Sequence, residues 1–132
     1  MLVLVAPGQG AQTPGFLTPW LEVPGFADRL NWWSAVSGLD LVRYGTEGDA
    51  DTITDTAVAQ PLLVAAGLGT ALALFQDADA AAHPVFGAAA GHSVGELTAA
   101  ALTGVMSAEA AMVFVRERGR QMVERQREDR QG

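Results

Sequence analysis

Val85-Phe86-Gly87-Ala88-Ala89-Ala90-Gly91-His92-Ser93-Val94-Gly95-Glu96 is the stretch that decides the fold of this chain. Small and apolar residues lead into Gly-His-Ser-Val-Gly, and the helix-forming run Glu96-Leu97-Thr98-Ala99-Ala100-Ala101-Leu102 follows. Strand, G-x-S-x-G and helix in that order read as a nucleophile elbow, a strained turn that lifts a serine hydroxyl off the C-terminal edge of a sheet. The two glycines serve the turn, because Cβ atoms at 91 and 95 would meet the neighbouring helix and strand. Val94 begins the helix, so its N–H and the positive end of the helix dipole face Ser93. The same pattern occurs in ordinary loops; the strand before it and the helix after it favour the elbow.

The rest of the chain bounds what such an elbow can do. At 132 residues there is room for one ordinary domain. A hydrophobic content of 49% with 17% charge excludes a disordered chain. Cysteine is absent, which removes disulfides and thiolate chemistry. With only His83 and His92, no metal site is expected. Met1-Leu2-Val3-Leu4-Val5 lacks the basic start and the length of a signal peptide or membrane span, so a cytoplasmic protein with no membrane partner is expected. Residues 1–115 hold two arginines against eleven acids, for −9; residues 116–132 hold six arginines against four acids, for +2. An acidic body argues against a nucleic-acid partner.

Upstream of the elbow, Leu2-Val3-Leu4-Val5-Ala6 reads as a strand of a parallel sheet buried on both faces. Pro7-Gly8-Gln9-Gly10-Ala11-Gln12 breaks it, and a dinucleotide motif fails because Thr13 stands where the third glycine belongs. The loop is better read as presenting backbone N–H groups to an anion beside the elbow. Pro14, Pro19 and Pro24 keep residues 13–24 irregular. Phe26 to Val36 reads as a helix with Phe26, Leu30 and Trp33 on one stripe and Gly38 as its stop; Trp32 and Trp33 are expected in the core or covering it. Residues 45–55 form an acidic, turn-rich link. Thr56 opens a long helix to about Phe75, apolar nearly all round, with Pro61 in its first turns. Gln60 is either a cap-region residue or a site-lining one. Asp77 to His83 reads as a linker.

Downstream, Gly104 turns the chain and Ser107 is the expected N-cap of a last helix over about Ala108 to Arg127. At about 100° per residue, Ala111, Phe114, Val115 and Met122 fall on one arc with Arg118 at its centre and Arg125 near it two turns further on, and Arg116 and Arg120 fall outside it. An arginine in a core-facing stripe is costly unless it meets an anion. The elbow helix leaves Ser93 for roughly 12 Å, and the last helix returns over roughly 16 Å to Arg118. If the two pack antiparallel, Arg118 comes back to the level of Ser93. A snorkelling surface arginine is the alternative.

Assembled, these residues resemble the malonyl-CoA:acyl carrier protein transacylases and the related acyltransferase domains of fatty acid and polyketide synthases. The matching pieces are Pro7-Gly8-Gln9-Gly10-Ala11-Gln12, Ala59-Gln60-Pro61, Gly91-His92-Ser93-Val94-Gly95-Glu96 and Arg118-Gly119, in family order and spacing. The resemblance implies an α/β fold: residues 1–132 as the N-terminal portion of an α/β-hydrolase-like large subdomain, helices packed on a short parallel sheet, the ferredoxin-like small subdomain absent. It implies Ser93 as the nucleophile that takes a malonyl group from malonyl-CoA and hands it to the phosphopantetheine thiol of acyl carrier protein, with no resident cofactor. Gln9 and Val94 resemble the oxyanion hole through their backbone N–H groups. Arg118 resembles the partner of the malonyl carboxylate, with Gln60 and His92 also lining the substrate site. Val94 leans toward malonyl rather than methylmalonyl.

One departure follows. The family's general-base histidine lies further downstream, and no histidine follows Ser93 here. His92 is adjacent in the elbow, where side chains diverge, and His83 stands roughly 20 Å away across a six-residue strand. A truncated or frame-shifted gene is the expected explanation, with a chain inactive alone that self-associates or binds a complementing C-terminal chain. Two other readings stand beside it: a fragment of an α/β-hydrolase esterase, and a non-catalytic module binding acyl-CoA or carrier protein.

Overall fold

The computed structural model describes residues 1–75 and 84–132, so the expected linker and His83 lie outside the described residues. Strand β1 (Leu2–Ala6) and strand β2 (Phe86–Gly91) pair in parallel, with Leu4 opposite Ala89 and Ala6 opposite Gly91. Between them come a short 3-10 helix, Thr18–Glu22, and helices α1 (Phe26–Ser37), α2 (Leu41–Glu47), α3 (Ala50–Thr54) and α4 (Thr56–Phe75). After β2 follow α5 (Gly95–Leu102) and α6 (Ala108–Gln131). Parallel pairing carries the C-terminal ends of both strands to one edge. The loop after Ala6 and the elbow after Gly91 therefore meet there, and His92 N–H donates to Ala6 O at 3.2 Å.

Helix α4 is the axis of the core. Leu62, Val64, Ala65 and Leu68 are buried, and α1, α2, α3, α5 and α6 all pack on it. Its length and composition would suit a membrane span, yet 72% of that stretch is buried in the protein, as in a core helix. Phe26, Leu30 and Trp33 of α1 face it as their spacing requires, and Gly38 ends α1 in the left-handed conformation. Trp32 departs from expectation: it is 57% exposed and donates its ring N–H to Glu109 Oε1 at 3.1 Å.

The acidic stretch 45–55, whose Asp and Thr residues offer helix caps, holds the end of α2 and all of α3, and aspartates start both helices. Asp40 Oδ1 accepts from Arg43 N–H at 3.1 Å to start α2, and Asp49 Oδ1 from Thr52 N–H at 2.8 Å to start α3. Hydrogen bonds from Thr52, side chain before backbone, hold the Asp49 carboxyl below its ordinary value. Ser107 caps α6 through Ala110 N–H at 3.0 Å.

Two expectations about burial are corrected. Phe114 is 54% exposed whereas Met112 is fully buried, so the core stripe of α6 is Ala111, Met112, Val115 and Gly119. The stripe is rotated by roughly 50° from the wheel reading, and Arg118 sits on its margin rather than its centre. Gly119 explains the rotation: a Cβ there would stand 3.1 Å from Thr56 O and 3.2 Å from Ala57 Cα, so α6 makes a close approach to the first turn of α4 along this row. The sheet, in turn, is covered on one face. Leu2, Leu4, Phe86 and Ala89 pack on the helices, while Val3 and Val5, opposite Ala88 and Ala90, stay 45% and 75% exposed.

An open apolar sheet face invites association. The purified chain is expected to sediment as an oligomer, and Val5→Glu is expected to shift it toward monomer with its helical circular dichroism intact. A monomeric parent chain would show that this face stays solvated.

Candidate active site

Ser93 stands between β2 and α5 with φ of 54°, the one positive φ among the described non-glycine residues. A serine held there stores about 1–2 kcal/mol of backbone strain, which the surrounding packing must overcome. Gly91 and Gly95 make the turn possible. A Cβ on Gly91 would overlap the backbone of Gly95 and Glu96, and one on Gly95 would overlap Ala6 O. Strand, turn and helix thus touch through backbone alone. The hydroxyl is left exposed at the C-terminal edge of the sheet.

The loop from Pro7 to Gln12 is held against this edge by its two glutamines. Gln12, only 8% exposed, donates Nε2 to Ile53 O at 3.0 Å and accepts from Gly10 N–H at 2.9 Å. Gln9 donates Nε2 to Thr54 O at 3.3 Å and Thr56 Oγ1 at 3.2 Å. Both side chains therefore point to the α3–α4 junction, which leaves the Gln9 backbone for other use. Among the described residues, neither Gln9 N–H nor Val94 N–H has an acceptor. Those groups are the ones an oxyanion would need. Gln12 and its partners were not anticipated; a second glutamine three residues after the first was the signal.

On the far side of Ser93 lies α6. Arg118 Nη2 points at Ser93 Oγ across a long contact of 3.4 Å, and Nη1 donates to Gln60 Oε1 at 2.7 Å. Gln60 is 1% exposed and donates its own Nε2 to Met122 Sδ at 3.1 Å. Because a guanidinium only donates, the amide oxygen must face Arg118. The Gln60 side chain is thus turned toward α6, between Arg118 and Met122. Arg118 is half-buried and, among the described residues, has no carboxylate within ion-pair distance. A half-desolvated cation with only neutral partners favours an incoming anion.

His92 is brought to the same edge but turned away. Its ring lies against Gly8, where an added Cβ would be 2.9 Å from Nδ1, and no hydrogen bond joins it to Ser93. Arg118 is the sole hydrogen-bonding side-chain partner of Ser93 among the described residues, and it donates. No described side chain stands ready to take the serine proton.

Arg116, placed off the buried arc by its helical position, also reaches α4: Nη1 donates to Ala57 O at 3.2 Å. That bond could not have been read from α6 alone. Its signal was Pro61, which lacks the N–H that Ala57 O would otherwise accept.

Comparison with known proteins sets this geometry in context. No family model matches the chain. The malonyl CoA-acyl carrier protein transacylase of Mycobacterium tuberculosis is 48% identical over 122 residues, which make up 92% of this chain and 40% of the relative. That of Mycolicibacterium smegmatis is 52% identical over 106 residues, 80% of this chain and 36% of the relative. The chain thus spans about 40% of the length of these transacylases. Among solved structures, the M. tuberculosis enzyme superposes with a TM-score of 0.84 at 47% identity, over 92% of this chain and 40% of that one. A malonyl-transacylase in complex with a type II polyketide acyl-carrier protein superposes at 0.81 and 29% identity, over 92% of this chain and 38% of that one.

The elbow geometry yields a direct test. Alanine at 95 would improve helix propensity by about 1 kcal/mol, yet its methyl overlaps Ala6 O. Gly95→Ala is therefore expected to lower stability by about 1–3 kcal/mol in urea denaturation, as overpacking does. A stabilised variant would show that strand and helix do not touch here.

Proposed function

As a homologue of the N-terminal part of the malonyl CoA-acyl carrier protein transacylases, this chain carries, we propose, the serine side of an acyl-transfer site. Ser93 Oγ attacks the thioester carbonyl of malonyl-CoA; a C–O bond forms, the C–S bond breaks, and coenzyme A leaves with the proton. The phosphopantetheine thiol of acyl carrier protein then attacks the serine ester and returns a proton to Ser93. The backbone N–H groups of Gln9 and Val94 hold the oxyanion that develops in both steps. Arg118 pairs with the free malonyl carboxylate, and Gln60 fixes the direction of its fork.

The observation that carries this reading is the doubly anchored guanidinium: Nη1 on Gln60 at 2.7 Å and Nη2 at 3.4 Å from the candidate nucleophile. A cation held beside the serine explains selection of a diacid thioester over acetyl-CoA, because the acetyl group leaves it unpaired. A simple esterase has no need of that cation.

The serine proton needs a base, and none of the described side chains is placed to act as one. Without a base, the oxyanion hole and binding alone sustain catalysis of about 10³–10⁴-fold over water. The 132-residue polypeptide by itself is thus expected to transfer malonate slowly.

Arg118→Ala tests the selection. Losing a desolvated charge-assisted pair costs on the order of 2–5 kcal/mol, and the loss should fall on acylation by malonyl-CoA, leaving acylation by acetyl-CoA nearly unchanged. Equal losses for the two thioesters would make Arg118 a structural residue.

A further inference from the structure

Two arginines of α6 reach α4, and they do so on either side of a close backbone contact between the helices. Gly119 rests on Thr56 and Ala57. On one flank Arg118 donates to Gln60 Oε1 at 2.7 Å, and on the other Arg116 donates to Ala57 O at 3.2 Å. The Ala57 carbonyl is unusual for a helical one. Its partner would be the N–H of residue 61, which is a proline and has none. The proline ring also crowds the carbonyl four residues before it and turns it away from the helix axis. An acceptor inside an otherwise buried helix is left open, and the Arg116 guanidinium fills it from the neighbouring helix.

We propose that Arg116 is a positioning residue, and that its bond to the carbonyl released by Pro61 locks α6 on α4 so that Arg118 faces Ser93. Mechanics supports it. Gly119 sets which row of α6 meets α4 but offers only backbone there, so the fine rotation of the helix is left to the side chains on either side. A roll that lifts the Arg118 flank must press or slide the Arg116 flank. Anchored on both flanks, the helix has one rotational setting, and in that setting Nη2 of Arg118 is 3.4 Å from Ser93 Oγ. The effect on substrate choice rests on the proposed pairing of Arg118 with a carboxylate; the positioning itself does not.

Arg116→Met, alone and combined with Pro61→Ala in the full chain, tests this with two readouts that need no activity. The first is the folding constant from urea denaturation. Removing Arg116 should lower it about fivefold, the equivalent of one net hydrogen bond of about 1 kcal/mol, and should leave it nearly unchanged in the Pro61→Ala background, where the Ala57 carbonyl has its own helical N–H. The second is the exchange of the Arg118 guanidinium protons by nuclear magnetic resonance. Their rotation should accelerate about fivefold in Arg116→Met by the same conversion, and Arg116→Lys should recover part of the restraint. Equal losses of stability in both backgrounds, or Arg118 signals that do not change, would overturn the proposal. Should Arg116→Met fail to fold, the double variant decides: its folding supports the coupling and its failure refutes it. A loosened Arg118 with undiminished preference for malonyl-CoA would support Arg116 in its positioning role while contradicting the carboxylate reading of Arg118.

Discussion

The hydrogen bond between Arg118 Nη1 and Gln60 Oε1, 2.7 Å long, is the interaction on which the candidate site depends. A guanidinium taken half out of water must find acceptors, and a glutamine amide buried in the first turns of α4 must find a donor for its oxygen and an acceptor for its nitrogen. Each satisfies the other, with Met122 Sδ completing the glutamine. The pair could not form if α6 stood further from α4, which ties it to the bare backbone of Gly119. The glycines at 91 and 95 close the elbow against the end of β1 and so fix where Ser93 stands. Three close backbone contacts therefore converge on one cation and one hydroxyl.

Much of this was legible in the sequence wherever the chemistry is local. β1, α4 and the elbow announce themselves by unbroken apolar runs and by glycine spacing, and Ser107 by its place before a helical pattern. Homology and superposition agree with the α/β architecture so read. What could not be read depends on partners. Phe114 and Met112 exchange places because the rotation of α6 is decided by where Gly119 meets α4, and a wheel contains no partner helix. Val3 and Val5 look like core residues by type; whether the second face of a sheet is covered depends on what else packs there. The direction of the Gln60 side chain stayed ambiguous until Arg118 was seen to donate to it. Arg116 falls outside the arc read from the wheel, because the carbonyl that recruits it lies 59 residues away and is left open by a proline.

Strain and openness belong together at this edge. Ser93 is held at φ of 54° by contacts that leave its hydroxyl exposed, and the donors around it outnumber the acceptors. The Arg118 fork presents positive charge to the Ser93 hydroxyl, beside the positive end of α5. Such a surface is suited to receive a negatively charged acyl group and to stabilise an oxyanion. It is poorly suited to removing a proton. In the proposed reading these residues serve binding and electrostatic stabilisation, and none of the described side chains serves proton transfer.

The most direct measurement is the site and identity of the acyl group the protein accepts. After prolonged incubation of the chain with malonyl-CoA or acetyl-CoA, intact mass and peptide mapping would be compared over time. The account predicts a single malonyl adduct on Ser93 that forms faster than the acetyl adduct. An adduct on another residue, or malonyl and acetyl adducts appearing at equal rates, would contradict it.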